Sequence, residues 1–319
     1  MPIDPDLQPL LPFGHPPKVI EDPERFRALM IQNNDGVFDK FGRPGPGVAE
    51  RRVLSIGPSG EGVRAILYRP TTAGPHPVHI FLHGGGWVIN SAFSKDSEAV
   101  SRHRCVHADC IVISVDYRKA PEHPFPAPVH DVVSAINWVI DNSAEIGALP
   151  GAISVGGQSS GANIAAGATL LLRDQGRDDI AFQLLEVPVL DLTHSRLREE
   201  GDELPLSMSD VRMFCALYLG DSGDGRDPIA SPLLARDLTG LPSAYIANAE
   251  YDVLRGDGEW YAQRLREAHV PVELYLGEGH VHISPNLTGL LASAREWQEA
   301  STTALRTVNS RLRSSTRRP

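Results

Sequence analysis

Eight short apolar runs alternate with segments of helical periodicity along this 319-residue chain. That alternation constrains the fold more than any other feature. The runs fall at residues 52–56, 63–68, 78–82, 110–115, 153–155, 182–187, 244–249 and 272–276. Several are continuous rather than alternating, which is the pattern of parallel strands covered on both faces. Helices are expected at about 22–32, 94–107, 129–142, 162–173, 206–219, 258–268 and 296–310. Strand and helix in alternation predict an α/β fold, a mainly parallel sheet with helices on both sides. A short Gly/Pro/Ser segment at 57–60 joins the first two runs, so these are expected as an antiparallel hairpin at one edge.

Two regions break the rhythm. Residues 1–50 are rich in Pro and Gly around a helix opened by Pro23, and 191–227 is long, charged and partly helical. Insertions of that length in a compact domain usually cover a site. The expected organisation is one catalytic domain, 51–190 and 228–319, with a cap assembled from 1–50 and 191–227. Within the cap helix, Met208, Met213, Phe214 and Tyr218 share one face and are expected to pack, with Met208 and Phe214 the candidates for touching substrate.

Composition narrows the partners. The chain carries 40 acidic and 30 basic side chains, a net charge of −10. Such a surface repels phosphate backbones, so nucleic acid is not an expected partner. The basic tail with Arg311, Arg313, Arg317 and Arg318 reads as a frayed, solvated terminus. No apolar run approaches the roughly 20 residues of a bilayer span, and no export signal is visible, so neither membrane association nor secretion is expected. The three cysteines, Cys105, Cys110 and Cys215, match no zinc spacing. They are expected as free thiols in the cytoplasm, and no metal is expected.

The chemistry is concentrated at the ends of four strands. After the run at 153–155 comes Gly157-Gln158-Ser159-Ser160-Gly161, followed at once by a helical stretch. A bare G-x-S-x-G arises by chance in roughly one such chain in five, so its strand–turn–helix context carries the signal. A serine on that turn is lifted clear of the sheet, with the positive end of a helix beside it. After 78–82 comes His83-Gly84-Gly85-Gly86-Trp87. Three glycines there let successive N–H groups converge on one oxygen, the construction of a main-chain oxyanion hole. His followed by three glycines is expected by chance in only about one such chain in a hundred, which makes this the more specific signal.

A serine hydroxyl needs a base, and the base needs an orienting acid, in the chain order Ser, Asp, His. Asp252 follows the seventh strand, and two histidines, His280 and His282, follow the eighth. Residue order alone leaves either histidine open as the base.

Taken together, these motifs resemble the hormone-sensitive-lipase-like branch (family IV) of the α/β-hydrolase esterases. The residues carrying the resemblance are His83–Trp87, Gly157–Gly161, Asp116-Tyr117-Arg118-Lys119-Ala120-Pro121-Glu122 with Phe125-Pro126-Ala127, and Asp252-Val253-Leu254-Arg255. The resemblance implies an eight-stranded α/β-hydrolase fold with a helical cap and cofactor-free hydrolysis of carboxylic esters. It assigns Ser159 as nucleophile, Asp252 as acid and, since Gly279-His280-Val281-His282 fits the family's histidine pattern while Gly277-Glu278-Gly279-His280 fits only its three-residue spacing, His282 as base, with His280 a neighbour. It places the oxyanion hole on the amides of Gly85, Gly86 and Ser160, offers Trp87 as a pocket residue, and implies a homodimer through the last strand and helix. The turn Tyr117-Arg118 with Glu122 is expected to support the oxyanion loop, and Asp257 and Glu259 to open a helix.

Departures include Gln158 where the family has an acidic residue, Ser160 for Ala and Val253 for Pro. Gln158 points towards the bacterial heroin-type esterases, which cleave acetyl esters of bulky alcohols. The leading expectation is a serine carboxylesterase acting on short-chain or acetyl esters. An arylformamidase or other amidase with the same triad, and a non-catalytic small-ligand receptor on the same fold, are the rivals.

Overall fold

The computed structural model describes residues 2–11, 16, 20–57, 62–195 and 204–315. All eight expected strands form: β1 Glu50–Ile56, β2 Val63–Arg69, β3 His76–Leu82, β4 Ile111–Asp116, β5 Ala148–Gln158, β6 Ile180–Glu186, β7 Ser243–Tyr251 and β8 Val272–Val281. They make one sheet in the order β1-β2-β4-β3-β5-β6-β7-β8. β1 pairs antiparallel with β2, and β2 with β4, while the rest of the ladder is parallel. The edge hairpin therefore exists, although its connection at 58–61 lies outside the described residues.

The helices are α1 Pro23–Phe41, α2 Lys95–His107, α3 Ala127–Asp141, α4 Ser143–Ile146, α5 Ser160–Asp174, α6 Met208–Leu219, α7 Arg255–Glu267 and α8 Ala292–Ser315. Alternating side chains of the strands feed two apolar layers, the physical meaning of the continuous runs. Ile80 and Val155 share one layer with Val129, Ile164 and Leu265 of α3, α5 and α7. Phe81 and Val112 face Cys105, Trp297 and Leu305 of α2 and α8. All seven residues of β3 are buried.

The strand order places a crevice where chemistry can sit. From β3 the chain crosses through α2 to β4 on one side, and from its neighbour β5 it crosses through α5 to β6 on the other. Connections leaving two adjacent parallel strands in opposite directions open a gap at their carboxyl ends. The glycine loop after β3 and the serine turn after β5 border that gap.

Three expectations need correction. α1 continues to Phe41, nine residues beyond the expected end at 32. None of its residues is fully buried, and the apolar stripe Phe26, Met30, Val37 and Phe41 that packs it on the core is interrupted by Gln32-Asn33-Asn34-Asp35-Gly36 just where the expected helix stopped. β5 and β8 are 11 and 10 residues long, because ladder pairing carries them through glycines that read as loop. The basic tail is not frayed as far as it is described. α8 runs to Ser315, and the Arg313 guanidinium pairs with the Asp109 carboxylate. Arg317 and Arg318 lie outside the described residues, as do 196–203 of the expected cap insertion.

Candidate active site

The serine turn is built by close backbone approach. A Cβ on Gly161 would lie 2.2 Å from the Leu82 carbonyl oxygen at the end of β3, so only glycine lets α5 start that near the sheet. Ser159 itself sits at φ 54°, ψ −119°, a conformation a non-glycine residue adopts only when its surroundings impose it. Here the Ser159 N–H donates to the Glu186 carbonyl at 2.8 Å, and its own carbonyl accepts from Asn163 N at 3.1 Å.

The hydroxyl so presented meets a histidine. Ser159 Oγ lies 2.9 Å from His282 Nε2, and His282 Nδ1 lies 2.7 Å from Asp252 Oδ2. A carboxylate only accepts, so Nδ1 carries the imidazole proton and Nε2 is free to accept from the serine. The second carboxylate oxygen of Asp252 accepts the Leu254 N–H at 2.9 Å, which fixes its orientation. The Asp252 side chain is buried, whereas His282 keeps 12% exposure.

His280 is placed elsewhere. It lies inside β8, buried against the Trp297 ring, with Nδ1 2.7 Å from Ser284 Oγ. Burial lowers its pKa below the ordinary histidine value, and no contact joins it to Ser159. The positive φ of Gly279 and the end of the ladder at Val281 separate the two histidines' surroundings.

Opposite the serine, the glycine loop leaves β3. Gly84 abuts Gln158 and Ser159, and Gly85 and Gly86 have φ of +123° and +57°. The Gly85 carbonyl turns away to accept from Val88 N and Ile89 N at 3.1 and 2.9 Å. Among the described residues the N–H groups of Gly85, Gly86 and Ser160 have no acceptor. Ser160 opens α5, and first-turn amides have no partner within their helix. These are three orphan donors beside one hydroxyl.

Behind the loop the expected support is present with different partners. Tyr117 Oη donates to the His83 carbonyl at 3.0 Å and stacks on its ring. Arg118 binds Asp131 rather than Glu122. Glu122 instead pairs at 2.9 Å with Arg27 of α1, whose Nε donates to the Val88 carbonyl at 2.8 Å. Asp257 does stand in the first turn of α7, but buried, accepting the N–H groups of Leu190 and Asp191 at 2.7 and 3.0 Å. It tethers the chain leaving β6, and burial pushes its pKa up to about 7. Glu259 pairs with Arg255.

The pocket candidates divide. Trp87 is buried, stacked parallel on Tyr218 with centroids 4.2 Å apart, and its Nε1 donates to Asn163 Oδ1 at 3.3 Å. This is packing between loop, α5 and α6, and it leaves no ring face for a ligand. Phe214 lies directly on the glycine loop, since a Cβ on Gly86 would meet its ring at 2.5 Å. Met208 is buried in the larger apolar layer, and no contact places it at the serine. Sequence reasoning missed Arg27, Asn163 and Glu186, whose side chains bond to residues 61 or more, 67 or more and 82 or more positions away.

A family model for the α/β-hydrolase fold matches residues 79–285. The chain belongs to the α/β-hydrolase family. Within it, the chain stands in the hormone-sensitive-lipase-like branch, among the carboxylic ester hydrolases. It is 43% identical to the carboxylic ester hydrolase LipN of Mycobacterium tuberculosis over 246 residues, 73% of this chain and 64% of that protein. Its fold is similar to an esterase of Pyrobaculum calidifontis, with a TM-score of 0.88 and 32% identity, covering 96% of this chain and 99% of that one. It is similar also to a bacterial heroin esterase, with a TM-score of 0.82 and 33% identity over 96% and 98% of the two chains.

Proposed function

We propose that the chain is a serine carboxylesterase that hydrolyses small carboxylic esters through an acyl-enzyme on Ser159. The observation that carries this reading is the continuous hydrogen-bonded chain Ser159–His282–Asp252, at 2.9 and 2.7 Å. Ser159 Oγ attacks the ester carbonyl while its proton passes to His282 Nε2. The resulting imidazolium is held by the Asp252 carboxylate, which stays ionised. The proton then moves to the departing alcohol oxygen, leaving an acyl-serine. Water repeats the attack, giving its proton to His282, and the carboxylic acid leaves as Ser159 is restored.

The orphan amides of Gly85, Gly86 and Ser160 receive the negative charge of each tetrahedral intermediate. A donor of this kind contributes about 10²–10³-fold to kcat. Gly84 permits the turn. α1 and α6 form the cap: Arg27 clamps the one against the loop exit, and Phe214 seats the other on the loop itself. An aromatic lid on the oxyanion loop favours short acyl groups over long ones. A cytoplasmic location and a homodimer belong to the same proposal.

Rates on p-nitrophenyl esters from acetate to octanoate, set against the matching p-nitroanilide, test the reading. The acetate or butyrate ester should be fastest and the anilide far slower. Equal rates on ester and anilide would make the enzyme an amidase, and folded protein silent on both would favour the receptor.

A further inference from the structure

Ser159 and His282 come from strands that are not neighbours. β6 and β7 lie between β5 and β8, so the two loops stand about 14 Å apart at the sheet, three steps of about 4.8 Å. They must arch over two strand ends to meet within hydrogen-bond distance. A bond between a short hydroxyl and one ring nitrogen cannot by itself hold two loops in register.

A second link does cross that gap. Gln158, the residue before Ser159, donates from Nε2 to Asn286 Oδ1 at 3.0 Å, and Asn286 Nδ2 donates back to Gln158 Oε1 at 3.3 Å. Asn286 closes the 3₁₀ turn Ser284–Asn286, which begins two residues after His282. The inner end of the same turn is anchored. Ser284 Oγ accepts from Val281 N at 3.1 Å, donates to the Val281 carbonyl at 2.8 Å and contacts His280. The His282 loop is thus pinned to its own strand at one end and to the serine turn at the other. Among the described residues, no other side-chain hydrogen bond joins residues 157–161 to 277–291 apart from Ser159–His282 itself.

Resting on the esterase reading above, we propose that Gln158 and Asn286 form a positioning pair that sets the distance between nucleophile and base. The pair works because both side chains are amides. Each offers a donor and an acceptor, so two reciprocal bonds fix separation and orientation together. A carboxylate at 158, as in the family pattern, could only accept and would stand directly across the ladder from Glu186. The departure at 158 is therefore matched by the residue it meets. Gln158 and Asn286 do not touch the reacting atoms, and their effect is exerted through Ser159 and His282.

The test is kinetic. Gln158→Met and Asn286→Leu keep volume and remove the bonds. The double variant removes both sides, and Gln158→Asn with Asn286→Gln exchanges the two amides while keeping their combined length. For p-nitrophenyl acetate, each single change should lower kcat by about 10–100-fold, the scale of a misplacement of up to 1 Å, with KM nearly unchanged. The double should be no slower than the worse single, because one interaction is lost in all three. The exchanged pair should recover most of kcat. Melting temperatures of each variant show that folding is intact.

Wild-type kcat in Gln158→Met, losses that multiply in the double, or an exchanged pair as slow as the double would overturn the proposal. The rate at which a fluorophosphonate labels Ser159 is read in parallel. If the wild type cleaves no ester, the functional reading fails. The labelling rates of the five proteins then still decide the pair by the same pattern.

Discussion

Strands β6 and β7 lie side by side, and each delivers a buried carboxylate at or just beyond its end, yet only one of them is linked through a histidine to a serine hydroxyl. Glu186 closes β6 and Asp252 follows β7. Glu186 is saturated: its oxygens accept from the Arg104 guanidinium, from Trp297 Nε1 at 2.9 Å and from Ser301 Oγ at 2.9 Å. Arg104 in turn faces His79 Nε2 at 3.3 Å, and His79 Nδ1 meets Ser154 Oγ at 2.9 Å. Every strong partner there is spent inside the protein. Asp252 meets an imidazole rather than a guanidinium, and that imidazole passes its interaction on to the Ser159 hydroxyl beside three orphan amides. A carboxylate gains a chemical role when its partner can change charge, and a structural one when its partner cannot.

Substitutions separate the two kinds of carboxylate by which quantity they move. Asp252→Asn keeps the shape and frees the tautomer of His282, so kcat should fall by about 10⁴-fold while the melting temperature barely shifts. Ester kinetics beside a thermal melt measure both. Arg104→Met should do the reverse. Leaving Glu186 buried without its cation costs about 3–5 kcal/mol of stability by denaturant titration, with kcat of the folded protein much less affected. Replacing Glu186 by Leu in the same protein should return part of that loss, because no charge is then left unpaired.

Asp257 is the intermediate case, a buried carboxylate with two N–H donors, one oxygen without a partner and no cation. Burial raises its pKa to about 7 in the folded state. The native protein therefore binds a proton that the unfolded chain has released. Its contribution to stability is complete below about pH 4 and is lost as pH rises through about 7. Asp257→Asn should flatten the fall in melting temperature across that window, read by thermal melts from pH 4 to 8. An identical slope in the variant would show that Asp257 is ionised throughout.

The legible parts of this molecule were those encoded locally. The strands could be read because burial on both faces demands continuous apolar runs, and the glycine loop and serine turn because their backbone geometry restricts residue type within five positions. What escaped was encoded by partners remote in sequence. Gln158 meets Asn286 across 128 positions, and Arg27 reaches Val88 across 61. Glu122 reads as part of the loop's support, yet its partner Arg27 is supplied by α1, 95 positions away. Trp87 reads as a pocket residue because it follows the glycines, and only Tyr218 on α6 shows why its ring is occupied. The choice between His280 and His282 likewise depended on Gly279 turning the chain and on Trp297 covering one ring.

The most direct test of the account is p-nitrophenyl acetate hydrolysis by the wild type, Ser159→Ala, His282→Ala and His280→Ala. The account predicts turnover by the wild type, losses of about 10⁶-fold in the Ser159 and His282 variants, and retained activity in the His280 variant. An active His282→Ala beside a dead His280→Ala would contradict it.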